Sequence, residues 1–272
     1  MQSSRSKRVR PFPHRRDLFC IRHWYREPFD RRAFDESHEA AFAREAYADL
    51  RPGCVAGAAG VARAADYVRA FPEQIAVLLS VELCSLTLQK DDLTVANLVS
   101  TGLFGDGAAA VILEGANTSR KARRPEVCGP EILDTLSTLY PATEGVMGWD
   151  ISEKGFQIVL SSDVPRVARE NLGRDVDAFL AKHNLTRADI GSWVLHTGGP
   201  KVLEAAEESL GLKNGELQAS WDSLRRTGNL SSASVLCVLE DVMCHRRPEP
   251  GTLGIMAAMG PGFCSELLLL RW

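Results

Sequence analysis

Arg51-Pro52-Gly53-Cys54-Val55-Ala56-Gly57-Ala58-Ala59-Gly60 places a thiol among small residues where a helical pattern begins. Pro and Gly interrupt regular structure just ahead of the sulfur. Apolar residues at helical spacing then run from Val55 to Phe71. A thiol at a helix start meets unpaired backbone N–H groups and the positive end of the macrodipole, and both favour the thiolate. Outward from this point the chain alternates. Ile75 to Leu83 reads as a buried strand, Leu93 to Phe104 as a short helix and turn, and Ala108 to Glu114 as a small-residue strand. Ala116 to Pro130 is a polar connection and the internal boundary. Ile132 to Leu139 and Gly155 to Ser161 follow as strands, and Val164 to His183 as a long amphipathic helix with Pro165 in its first turn. Trp193 to His196 is a short strand, Pro200 to Leu210 a helix opened by Gly198-Gly199-Pro200, and Ser231 to His245 a largely apolar helix. Gly254 to Met259 and Ser265 to Leu270 close the chain as strands. Strands alternating with helices predict a layered α/β fold.

A chain of 272 residues, 45% hydrophobic and 25% charged, is long and apolar enough to bury a large core. The net charge of −3 argues against nucleic acid and against an anionic membrane surface as partners. No apolar run reaches the length of a membrane span. Seven Cys without paired spacing read as reduced thiols of a cytoplasmic protein, with no metal site.

Two downstream residues complete a chemistry around Cys54. His196 stands in Trp193-Val194-Leu195-His196-Thr197-Gly198-Gly199-Pro200, and Asn229 in Gly228-Asn229-Leu230-Ser231-Ser232-Ala233-Ser234. A thiol, an imidazole and a neutral amide supply a nucleophile, a base and an oxyanion donor for acyl transfer. Singly, each has a plainer reading: a small buried Cys, a structural His before a turn, a turn Asn.

With these flanks and in this order, the chain resembles the type III polyketide synthases, the chalcone-synthase-like branch of the thiolase superfamily. The matching blocks are Gly53 to Gly57, Leu103 to Val111, Trp193 to Pro200, Gly228 to Leu236 and Met259 to Phe263. Val81 to Leu88 resembles the bacterial members. A ketoacyl synthase of the type III fatty-acid class also uses Cys, His and Asn, but its His-Gln-Ala-Asn text is His-Thr-Gly-Gly here. The resemblance implies a thiolase-like αβαβα fold with an incomplete N-terminal half, divided as 53–125 with the nucleophile and 126–272 with His and Asn. It implies that Cys54 takes an acyl group from acyl-CoA, and that His196 and Asn229 stabilise the enolate of malonyl-CoA after loss of CO2. The products are then of pyrone, resorcinol or phloroglucinol type. No cofactor is implied beyond the CoA thioesters themselves, and the partner is a second copy in a homodimer.

By the same resemblance Gly198, Gly199, Pro200 and Lys201 lie near pantetheine, and Gly260, Pro261 and Gly262 form the cyclisation loop. Thr87, Leu88, Trp149 and Ile158 shape the cavity, with Leu88 and Ile158 in place of gatekeeper aromatics of the plant enzymes. Phe104 and Asp106 hold the Gly-rich turn. Lys201 has an equally simple reading as a solvated helix residue, and the cavity residues as core.

Residues 1–52 depart from the family. They are rich in Arg, His and aromatics and lack the alternating strand expected ahead of the nucleophile. There is no apolar segment of signal-peptide type. Codons admissible for Arg15 to Glu39, read one nucleotide later, admit the family's strand, Thr-Gly-Ile turn and next helix. Glu45 to Pro52 admit the strand leading to Gly-Cys. This reading takes residues from about Arg15 to Pro52 as out of frame, which resequencing the coding DNA checks. It also implies low stability and little turnover for the chain as written, because Arg44 and Glu45 stand where a buried strand is expected. An inactive remnant and a scaffold subunit are the remaining readings.

Overall fold

The computed structural model describes residues 18–22, 53–118, 129–153, 155–213 and 215–272, with the backbone alone at 18–22 and 152. Apart from Leu18–Arg22, the atypical segment 1–52 lies outside the described residues, as does much of the connection after Ala116. Leu18–Arg22 forms β1, which pairs antiparallel with β3 (Gly107–Glu114).

Three sheets are present among the described residues. The first has the order β1-β3-β2, with β2 spanning Ile75–Glu82. The second contains β4 (Glu131–Leu139), β9 (Cys264–Arg271), β8 (Leu253–Gly260) and β7 (Ile190–Leu195), in that order. Only β7 and β8 run parallel in it. The third is the hairpin of β5 (Met147–Ser152) and β6 (Gly155–Leu160).

Helices α1 (Ala56–Ala70) and α6 (Ser232–His245) fill the space between the first two sheets. Val61, Ala65 and Val68 of α1 share one core with Val111 and Leu113 of β3, Leu236 and Leu239 of α6, and Leu268 and Leu270 of β9. The far side of the second sheet carries α3 (Val164–Ala181) and α4 (Pro200–Leu210), whose Phe179, Leu180 and Leu210 pack on Trp193, Ile255 and Leu267. The layers therefore run sheet, helices, sheet, helices, as apolar residues on both faces of β7, β8 and β9 require. Helices α2 (Val95–Leu103) and α5 (Gln218–Thr227) lie at the margins. No helix among the described residues is long and apolar enough to cross a membrane.

Two expectations are corrected. β2 is buried on one face only: Leu78 and Ser80 point to α1 and α6, whereas Val77, Leu79 and Val81 stay exposed. An unbroken apolar run does not tell a doubly covered strand from one with a bare face. The helix α5 and the strand β5 were not expected. Their residues, Gln218-Ala-Ser-Trp-Asp-Ser-Leu-Arg-Arg-Thr227 and Met147-Gly-Trp-Asp-Ile-Ser152, mix small and charged types with little regular period.

The α1–α6 crossing depends on small residues. A Cβ on Gly57 would lie 2.1 Å from the Ser232 carbonyl oxygen and 2.8 Å from Val235 Cγ1. Neither the α6 backbone nor a packed Val can retreat, since both sit in the core. Gly57→Ala is therefore expected to cost about 3 kcal/mol, against the small gain in helix propensity. Urea unfolding measures this directly, and an unchanged midpoint would mean that the helices do not meet at Gly57.

Candidate active site

The two central helices both begin at one place. Gly53 (φ 53) and Cys54 form a 3-10 turn directly ahead of α1. Asn229, Leu230 and Ser231 form the turn ahead of α6. Cys54 is buried, and its thiol donates to Ser231 Oγ at 3.7 Å. Gly53 closes against the second sheet, where its Cβ would come 3.0 Å from Pro261 Cγ.

Asn229 is fixed on every side but one. Its N–H donates to the Leu103 carbonyl at 2.8 Å, and its own carbonyl accepts from Gly105 N–H at 2.9 Å. Its Oδ1 accepts from Ser231 N–H at 2.8 Å and from Ser234 Oγ at 3.3 Å. The amide is thus oriented by its acceptor end, and Nδ2, buried, has no partner among the described residues. A buried N–H without a partner is costly and needs a reason; an incoming oxyanion supplies one. Ser231 sits at φ 50, ψ −128, a conformation that favours glycine and is held by its bond to Asn229.

The Phe104–Gly105 stretch that clamps Asn229 continues to Asp106, whose carboxylate accepts from Ser85 N–H and Ser85 Oγ, each at 2.7 Å. These bonds hold the Asp106 carboxyl below its ordinary range. Phe104 and Asp106 therefore do what was expected of them, with backbone and carboxylate respectively.

His196 lies at the carboxyl end of β7, beside the end of the parallel strand β8, the usual place for a ligand in such sheets. Its backbone N–H donates to the Ala257 carbonyl at 2.9 Å, but neither ring nitrogen has a partner among the described residues. Burial pulls its imidazole down to about 4. Burial also pushes the Cys54 thiol up to about 12; the Ser231 hydrogen bond opposes this, the Glu82 and Cys84 charges add to it, and Asn229 exerts a weaker opposing pull. The expectation of a standing thiolate at a helix start is corrected accordingly. Desolvation outweighs the local donors, and both groups rest neutral. Glu82 itself is held by Ser232, accepting from its N–H at 3.2 Å and from its hydroxyl.

A cavity of about 710 Å³ opens at this point, lined by His196 and Asn229 on one side and mostly by apolar residues elsewhere. Gly198, Gly199, Pro200 and Lys201 line it at the start of α4. Gly260, Pro261 and Gly262 are not among the lining residues, but their neighbours Met259 and Phe263 are. Thr87, Leu88, Trp149 and Ile158 stand outside it. Trp149 and Ile158 face each other across the β5–β6 hairpin, where Trp149 packs edge-on against Phe156 at 5.9 Å. Thr87 donates to the Cys84 carbonyl at 2.8 Å, and Leu88 is half exposed. The expectation that these four shape the cavity is thus corrected: none of them forms its wall. Cys54 reaches the cavity through its neighbours Asn229 and Ser231 rather than lining it. Ser231, Met259 and Phe263 had no assigned role from sequence, although each lies inside or beside a matching block.

The profile of the family described as "Chalcone and stilbene synthases, C-terminal domain" matches residues 131–272. The chain belongs to the chalcone and stilbene synthase family. A 1,3,6,8-tetrahydroxynaphthalene synthase of Streptomyces peucetius subsp. caesius is 53% identical over 220 residues, covering 81% of this chain and 57% of that protein. A 3,5-dihydroxyphenylacetyl-CoA synthase of Streptomyces toyocaensis is 34% identical over 222 residues, 81% of this chain and 56% of that one. The crystal structure of 1,3,6,8-tetrahydroxynaphthalene synthase from Streptomyces coelicolor, a bacterial type III polyketide synthase, aligns with TM-score 0.75 at 31% identity, covering 82% of this chain and 62% of that one. The chain thus spans little more than half the length of these relatives of the chalcone and stilbene synthase family. Their agreement with the layered architecture of the described residues establishes the thiolase-like fold.

The depressed His196 imidazole has a consequence for stability. Its folded pKa lies below the ordinary 6.5, so between pH 6.5 and about 4 the unfolded chain binds a proton that the folded chain does not. Stability contributed by neutral His196 is present above pH 6.5 and is lost as the pH falls toward 4. The loss amounts to about 3 kcal/mol over that window. His196→Gln removes it: the stability difference between wild type and variant, from urea unfolding, is expected to change by that amount between the two pH values and to stay flat above 7.

Proposed function

We propose that this chain carries the catalytic centre of a type III polyketide synthase, an acyltransferase that condenses a starter acyl-CoA with malonyl-CoA. The carrying observation is the Asn229 amide, saturated at its acceptor and free at a buried donor that faces the same cavity as an unpartnered His196. In this reading His196 takes the Cys54 proton as the sulfur attacks the starter thioester; the C–S bond to Cys54 forms, and CoA leaves as its thiol with that proton. Malonyl-CoA then loses CO2. The enolate oxygen accepts hydrogen bonds from Asn229 and His196, which are fixed in advance and need no reorganisation. The enolate carbon attacks the acyl carbonyl, a C–C bond forms, and the Cys54 sulfur is released. Neutral Cys54 and His196 suit this sequence, since the proton moves only when an electrophile arrives.

The apolar cavity suits an aliphatic acyl chain, and Lys201 at its rim suits the anionic part of CoA. The product type, a tetrahydroxynaphthalene, pyrone or resorcinol, follows from the number of extensions and the folding of the chain. CoA thioesters serve as substrates, with no other cofactor, and the working form is a cytoplasmic homodimer.

Incubation with labelled acyl-CoA and peptide mapping is expected to find the label on Cys54; label on Cys84 or Cys237 instead would refute the assignment. Cys54→Ala abolishes condensation, whereas Cys54→Gln retains malonyl-CoA decarboxylation. Asn229→Ala lowers turnover about a hundredfold or more in a folded protein, the usual value of one oxyanion donor. Both the chain as written and a frame-restored form are assayed by product mass. Failure of both to acylate or decarboxylate, with a homologous full-length chain co-purifying, favours the scaffold reading.

A further inference from the structure

One wall of the cavity hangs from a strained turn outside it. Phe263 is buried at 1% exposure and lines the cavity together with Met259. Both of its backbone groups are taken by the turn that follows β4. The Phe263 carbonyl accepts from Tyr140 N–H at 2.9 Å, and the Phe263 N–H donates to Thr143 Oγ1 at 2.7 Å. The Thr143 hydroxyl donates in turn to the Tyr140 carbonyl at 2.6 Å, so it is saturated in both roles. One residue earlier, Gly262 N–H donates to the Met147 carbonyl at 3.3 Å. Between Tyr140 and Thr143, Ala142 stands at φ 58, a conformation costly for a residue with a Cβ and maintained only where neighbours over-determine it.

The same turn also reaches α3. The Tyr140 ring lies 6.1 Å from that of Phe263, and its hydroxyl donates to Asp175 of α3 at 2.6 Å. Val164, Ala168 and Leu172 of α3 line the cavity too, and Val164 packs in one cluster with Phe263 and Tyr140. A continuous set of contacts therefore ties Phe263 and the lining part of α3 to residues 140–143. Among the described residues, Thr143 is the side chain that bonds the Phe263 backbone; the other links are made by main chain or by ring packing.

We infer that Thr143 is a specificity-positioning residue: by holding the Phe263 N–H it sets the depth of the cavity and hence the length of acyl chain admitted to Cys54. The inference rests on the acyl-transfer reading above. Thr143 does not line the cavity and touches no reacting atom. Valine would keep its volume and remove its oxygen, leaving a buried N–H unpaired and Phe263 free to swing back. Serine would restore the oxygen.

The test uses the full chain as wild type, Thr143→Val and Thr143→Ser. Acetyl-CoA and dodecanoyl-CoA compete for Cys54, with the adducts counted by intact mass; amide exchange is followed at Phe263, and the thermal midpoint is recorded. Thr143→Val is expected to raise the long-to-short ratio about tenfold and to lose protection at Phe263, with Thr143→Ser close to wild type in both. A lower midpoint with an unchanged ratio overturns the inference and leaves Thr143 a purely structural residue. An unchanged ratio on an acylated wild-type Cys54 removes this inference alone. Absence of any Cys54 adduct both in the wild-type chain and in its frame-restored form removes the acyl-transfer reading and this inference with it.

Discussion

The close crossing of α1 and α6 is the constraint on which the rest depends. Two buried helices can lie between two sheets and start side by side only if one has no side chain at the contact, and Gly57 provides that gap against the Ser232 carbonyl. Their first turns then meet, and each brings one part of the chemistry: Cys54 before α1, Asn229 and Ser231 before α6. The second sheet adds His196 from the end of β7. Stability and the proposed acyl-transfer chemistry thus share one packing contact, and a disturbance there displaces sulfur and amide relative to each other before it loosens the outer layers.

Much of this was legible in the residues. Gly198-Gly199-Pro200 marked the start of α4, and Pro165 the first turn of α3, because glycine and proline carry local backbone meaning. Cys54, His196 and Asn229 stood out as candidates because each stands in a block of small, turn-forming text. What escaped depends on contacts distant in sequence. Nothing in Val77-Leu78-Leu79-Ser80-Val81 tells which face of β2 has a layer over it. Ser231 beside Cys54 and Thr143 beneath Phe263 are separated from their partners by 177 and 120 positions, so their roles emerge only when the chain is folded. The state of the thiol was misjudged for a related reason. Helix-start donors are local and visible in sequence, whereas desolvation is a property of everything packed around the sulfur.

The electrostatics of the centre follow one theme. Donors are present but unspent: Asn229 Nδ2 and the single ring N–H of neutral His196 lack partners among the described residues. Acceptors nearby are already committed, Asn229 Oδ1 to Ser231 and Ser234, and Glu82 to Ser232. A pocket arranged in this way has little to offer a cation and much to offer an oxygen that gains negative charge. Its apolar lining strengthens that preference by excluding competing water.

Position 231 shows what such an arrangement demands of the backbone. At φ 50 and ψ −128 a glycine would rest more easily than a serine. Yet glycine would remove the hydroxyl that receives the Cys54 thiol. Conformational ease and chemical usefulness pull in opposite directions at one residue, and the chain carries the less comfortable choice. A library selected for stability alone would be drawn to glycine at this position, and one selected for acyl transfer would be held at serine.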